Sequence, residues 1–243
     1  RDHCVTGVQT CAFPICGITG AIVQRQSFGG WKKSVMGPGA KAGGPNYVAQ
    51  MGTWTDGELK PRDVDIAPAS VKILQRLRDE LSDELSKDDL EWLWRSAELD
   101  RIAWLEEFGR THDRTALVAE ANRFRYRPLL TKLRIRVGED YKLRDVARQV
   151  LASGITGTET EISAVPEVAA QLQELGFDVK SISDGSFAAA VANDESSRVR
   201  ALGTVPDSVY EAAVRSNSVV LDQPVLADGR RELMPYLLEQ AVS

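Results

Sequence analysis

The chain has 243 residues, 43% of them hydrophobic and 27% charged, with a formal net charge of −5. That length holds one large domain or two small ones with ample core, and the composition is that of a soluble globular protein. The acidic balance argues against a general nucleic-acid or membrane-surface binder. No apolar run approaches the roughly 20 residues needed to span a bilayer, and the N-terminus lacks the continuous apolar core of a signal peptide.

Cys4, Cys11 and Cys16 are the only cysteines, all near the start. A disulfide-stapled secreted fold would spread them, so a reducing, cytoplasmic setting is expected. Together with His3 they match no usual zinc spacing, and no metal site is assigned. The opening RDHCVTGVQTCAFPI resembles translated sequencing adapter. Residues 1–16 are therefore read as a non-native scar and set aside. The natural chain is then expected to start mid-protein near Gly17.

Residues 17–56 form a loop-rich segment with nine glycines between Gly17 and Gly52. Gly20 to Val23 reads as a short strand, and FGGWKKS and GPGAKAGGPNY must turn sharply. Such a region cannot build its own core. Residues 57–120 read as a linker and helical connector. Thr55 to Ala67 is polar, and a helix from Pro68 to Leu85 places Val71, Leu74, Leu77, Leu81 and Leu85 on one face. Ser86 and Asp89 form a reciprocal cap for a second helix, which carries Leu90, Leu93, Trp94, Ala97, Trp104, Leu105 and Phe108 and stops at Gly109. Asp79, Glu80, Asp83 and Glu84 are weighed as an acid/base pair and as a solvated helix face; the face is the simpler account.

Residues 121–243 read as an α/β domain. In NRFRYRPLLTKLRIRV, Arg123, Arg125 and Arg127 alternate with Phe124 and Tyr126, and Lys132, Arg134 and Arg136 alternate with Leu133, Ile135 and Val137. Basic residues interleaved with aromatics can bind single strands of nucleic acid; a half-buried antiparallel or edge strand is simpler in an acidic chain. A helix carrying Leu143, Val146, Ala147, Val150 and Leu151 follows. Strands at Glu159–Ser163, Val179–Ile182, Val199–Leu202 and Ser218–Asp222 then alternate with helices at Pro166–Leu175, Gly185–Val191 and Pro206–Arg215. That alternation predicts a Rossmann-like parallel sheet with flanking helices. The terminal MPYLLEQAVS reads as an amphipathic helix cut before its cap. No GxGxxG turn follows any strand, and Pro166 and Pro206 remove amide donors where phosphate would sit.

TGAIVQRQSFGGWKKSVMGPGAKAGGPNYV, Thr19 to Val48, resembles the C-terminal active-site segment of the aldehyde dehydrogenase superfamily, closest to the L-glutamate-γ-semialdehyde (pyrroline-5-carboxylate) dehydrogenases. AWLEEFG, NRFRYRP and GRRELMPYLLEQAVS are similar to the C-terminal extension of the bifunctional proline utilization A family. The resemblance implies proline catabolism by a longer protein, with FAD in a proline dehydrogenase module and NAD in an aldehyde dehydrogenase module that oxidises the semialdehyde to glutamate. It implies that Gly20 and Ala21 hold the substrate α-carboxylate with backbone amides, as a tight turn of successive N–H groups does for anions. It implies that Phe28 packs on the substrate's aliphatic part, where the residues alone equally allow a core anchor. Ser27 departs from the family's proline and loosens the loop.

The family's nucleophile, base and NAD site lie upstream of Gly17, so no catalytic or cofactor-binding residue is assigned and the chain alone is expected to be inactive. His112 reads as a surface residue. The α/β domain is expected to be a noncatalytic lid, with the connector helices and the RFRYRP strand docking on the absent catalytic domain. Homo-oligomerisation is an expected partner mode. A standalone oligomerisation module and a nucleotide-binding regulatory module stay open as alternatives.

Overall fold

The computed structural model describes residues 22–23, 25–30, 39–194 and 198–242. After a 3-10 turn at Val48–Met51, the elements are helix α1 (Pro68–Glu80), helix α2 (Lys87–Ala103), a π-helical turn (Trp104–Phe108), strands β1 (Arg123–Pro128) and β2 (Leu133–Val137), and helix α3 (Leu143–Thr156). Then come β3 (Thr160–Ala164), α4 (Pro166–Glu174), β4 (Val179–Ser181), α5 (Asp184–Ala192), β5 (Arg198–Leu202), α6 (Asp207–Ser216), β6 (Val219–Leu221), the single turn α7 (Gly229–Glu232), a 3-10 turn (Met234–Tyr236) and β7 (Leu237–Val242).

Five strands form one parallel sheet in the order β4-β3-β2-β5-β6. Numbered along the chain that is 3-2-1-4-5, the doubly wound arrangement of Rossmann-like folds. The helices between successive strands cover both faces, as parallel sheets require. On one face α3 and α4 enclose Leu133, Ile135, Val137, Val146, Ala169 and Leu172. On the other, Phe187 and Val191 of α5 and Val209 and Ala213 of α6 close over Val199 and Ala201. The leucine stripe of α1 and α2 (Leu74, Leu77, Leu81, Leu93) lies on Ala147 and Leu151 of α3, outside the first layer. The reciprocal cap at Ser86 is present: Asp89 N–H donates to Ser86 Oγ at 3.0 Å and Ser86 N–H to Asp89 Oδ2 at 3.3 Å. Asp79, Glu80, Asp83 and Glu84 lie on the solvated face.

Three readings of the sequence change. LLEQAV is a strand, not the end of a helix: β7 pairs antiparallel with β1, register Tyr126↔Glu239. Its residues are good helix formers, but pairing with a distant strand overrides that preference. The antiparallel or edge reading fits β1 and fails for β2, which is the central strand between β3 and β5. Arg136 is not solvated; it is 1% exposed and bonds Asp184 Oδ1 at 2.6 Å and the Ile182 carbonyl at 3.1 Å, with Phe187 beneath its guanidinium. His112, read as a surface residue, is partly buried. Its backbone bridges Phe124, with N–H to carbonyl distances of 2.8 and 2.7 Å, and its Nε2 lies 2.9 Å from the Glu107 carbonyl oxygen.

Candidate functional site

The glycine-rich segment is held by side chains that lie far away in sequence. Ile22 and Gln26 close a tight turn, with Gln26 N–H donating to the Ile22 carbonyl at 2.8 Å. Phe28 and Ala42 then exchange two backbone bonds, 3.1 and 2.9 Å, pairing the two arms of the loop. The second arm, GAKAGGPN, runs against β1 and β7. A Cβ on Gly44 would lie 2.9 Å from the Lys41 carbonyl oxygen, 3.4 Å from the Phe124 ring and 3.5 Å from the Glu239 carboxylate, so only glycine allows this approach.

Glu239 of β7 is the hub. One carboxylate oxygen accepts the Lys41 backbone N–H at 2.6 Å; the other accepts Asn46 Nδ2 at 2.6 Å. Asn46 Nδ2 also lies 2.9 Å from the Tyr126 hydroxyl, which donates to Glu107 Oε1 at 2.6 Å. Arg114 donates to Glu107 Oε2 at 2.9 Å, and Arg230 lies 3.6 Å from Oε1. The Lys41 ammonium turns back to the Gly29 carbonyl, one residue past Phe28. The hub is buried: Glu239 is 1% exposed. Burial pushes its carboxyl up, against the Lys41 amide and Asn46, and burial lowers the Lys41 ammonium, against Glu239. Burial, then the bond to Glu107, raises the Tyr126 hydroxyl, which stays protonated and donating. The π-helical turn that carries Glu107 is the kind of helix distortion that re-aims side chains.

A second clamp holds the first arm. Arg25 grips Glu120 through two nitrogens, Nη2 at 2.5 Å from Oε2. The guanidinium and Asn122 together hold the Glu120 carboxyl down to about 2. Between the arms and the body, Val23, Ser27, Gly43, His112, Asn122 and Phe124 help line a small cleft of about 110 Å³. Phe28 is 52% exposed and does not line that cleft, whose wall takes Ser27 instead. Gly20 and Ala21 lie outside the described residues, as do Cys4, Cys11, Cys16 and His3. Among the described residues no group of three or more His, Cys, Asp or Glu is placed to hold a metal ion. Sequence reasoning missed Glu239, Asn46 and Tyr126 as supports of the loop; the signal was faint, a lone acid in LLEQAV whose partner is 198 residues away.

The fold carries a second place where ligands gather, the crevice at the carboxyl ends of β2 and β5, where the strand order reverses. Its residues do not fit a dinucleotide diphosphate. Asp140 already accepts the Thr204 N–H at 2.5 Å and hydroxyl at 3.0 Å, occupying with a carboxylate the amide that a phosphate would take. A Cβ on Gly138 would overlap the Thr204 carbonyl, so the two loops touch at that point, beside a cleft of about 480 Å³. Glu139, Asp140 and Asp184 make the rim acidic, and Arg136, its cation, is committed to Asp184. No described helix is long and apolar enough to cross a membrane.

The chain is similar to the solved structure of proline utilization A (PutA) from Corynebacterium freiburgense, at 43% identity and a TM-score of 0.66. The match covers 93% of this chain and 19% of that one, so the chain spans about a fifth of the protein it resembles. No family model matches the chain, and no curated protein does.

Proposed function

From the premise that this chain is related to a segment of proline utilization A, we propose that it serves an NAD-dependent L-glutamate-γ-semialdehyde dehydrogenase of proline catabolism. In this reading the chain is one part of a longer cytoplasmic oxidoreductase. It supplies the aldehyde anchor loop and a noncatalytic lid, and its partner is the catalytic portion of the same protein. NAD, held by that portion, accepts the hydride; FAD belongs to the proline dehydrogenase module. This chain's residues bind and orient. Backbone amides at Gly20 and Ala21 hold the substrate carboxylate, and Phe28 covers its aliphatic carbons.

The observation that carries the reading is the loop's construction. The paired arms at Phe28 and Ala42 have no core of their own, and they are fixed by buried bonds to β1 and β7. A loop fixed this way can present amides at constant geometry, which is what substrate positioning needs. The apolar side chains it leaves exposed, Ile22, Val23, Phe28 and Val48 among them, suit a surface covered by the catalytic portion.

The test compares the purified chain with the longer protein, following NADH formation from the semialdehyde. The chain alone gives no turnover, because it has no cysteine after Cys16 to attack the aldehyde. In the longer protein, Phe28→Ala raises KM roughly tenfold or more, the loss of a packed aromatic worth about 1.4 kcal/mol in substrate binding. Turnover by the chain alone, or an unchanged KM in the Phe28 variant, removes the reading.

A further inference from the structure

A cavity of about 230 Å³ lies between the end of the glycine-rich segment and the β6 side of the sheet. Its walls are largely apolar, with Ala49, Val220, Leu221, Pro224, Leu226 and Met234 contributing. At its base one ion pair cancels, and a carboxylate, Asp222, stands beside it. Arg200 pairs with Glu232 at 3.1 Å and spends its remaining donors on the Leu221 and Gln223 carbonyls. Asp222 accepts the Tyr210 hydroxyl at 2.9 Å.

Arg231 is the exception. Its guanidinium stacks on the Trp54 ring, 4.0 Å from the centroid, and takes no hydrogen-bond acceptor among the described residues. Stacking uses the flat face of a guanidinium and leaves its in-plane N–H donors open. Trp54 is fixed in place by its Nε1–H, which donates to the Ala49 carbonyl at 2.7 Å. Two acids stand close to it in sequence: Glu232 is taken by Arg200, and Asp228 accepts the Arg231 backbone N–H at 3.1 Å. Burial first, then the neighbouring Arg230, lowers the Arg231 guanidinium, with the Asp228 carboxylate acting the other way.

We infer that this cavity is a binding site for a small carboxylate with an apolar or aromatic body. The carboxylate meets the open edge of the Arg231 guanidinium, which offers two parallel donors. The body lies between Trp54 and the β6 wall. The volume sets the size, since it is below the range of drug-sized pockets. The inference is separate from the anchor-loop reading, because none of Gly20, Ala21 and Phe28 takes part.

The test titrates the full chain with benzoate, and with benzamide as a neutral probe of the same shape, by calorimetry. Benzoate saturates with a Kd of about 1 mM or tighter, benzamide at least tenfold weaker. Arg231→Gln weakens benzoate at least tenfold. Arg215→Gln leaves it unchanged, because Arg215 pairs with Glu211 on the exposed side of α6, outside the cavity. Equal binding of the two probes, no saturation by benzoate, or full affinity in a folded Arg231→Gln variant each overturns the inference. The probe comparison on the unaltered chain decides it even if a variant fails to fold.

Discussion

The glycine-rich arms and the α/β body reach order by opposite routes. The body buries continuous apolar strands, with Leu133, Ile135 and Val199 fully inside, under helices on both faces. The arms expose their large apolar residues and bury polar ones, Lys41 at 7% and Asn46 at 3% exposed. The body is stabilised mainly by removing apolar surface from water. The arms are stabilised by a few directed bonds to acceptors that the body supplies. The body spreads its stability over many apolar contacts; the arms depend on each bond.

The body departs from that contrast at a buried charge pair. Arg148 and Asp100 are fully buried and meet through two bonds, 2.6 and 2.9 Å, joining α3 to α2. Asp100→Ala strands a buried guanidinium and lowers global stability by about 3–5 kcal/mol, read by denaturant unfolding. The double variant Asp100→Ala, Arg148→Met recovers most of it. A loss below about 1 kcal/mol would place the pair with ordinary surface bridges.

The next effect separates the two regions. Glu239→Ala leaves the Lys41 N–H and Asn46 Nδ2 without their carboxylate, a cost of about 1–3 kcal/mol per stranded donor. It falls on the arms. Trypsin should cut the arms around Lys41 much faster, while near-UV dichroism of the body stays native. Equal loosening of both regions would show that they are one cooperative unit.

The smallest effect comes with acid. Arg25 and Asn122 hold the Glu120 carboxyl at about 2, below its ordinary 4.5. A carboxyl lowered in the folded state adds stability above its unfolded value and loses it as pH falls. The clamp on the first arm therefore weakens from about pH 4.5 down to about 2, and it does so more at low salt, since the pair is exposed. Amide exchange at Arg25 and Gln26 should accelerate across that window. Glu120→Gln should abolish the pH dependence.

The alternation of strands and helices was readable because local signals mark its boundaries: the Ser86 cap, Pro166 opening α4, Gly176 closing it. What was not readable depends on distant partners. The RFRYR and KLRIR stretches share one period-2 pattern, yet one is a ribbon strand and the other the centre of a sheet. The difference lies in Asp184, Asp194 and Glu161, which reach the β2 arginines from other elements. LLEQAV reads as helix because its strand partner is over a hundred residues earlier. In the candidate site, the glycines announced sharp turns, but the aromatic ring and carboxylate they approach belong to β1 and β7.

The bond from Lys41 to Glu239 spans 198 residues. At synthesis rates of about 5–20 residues per second, the arm leaves the ribosome roughly 10–40 seconds before its acceptor exists. The nascent chain therefore carries the second arm without this anchor until β7 has been made and closes on β1.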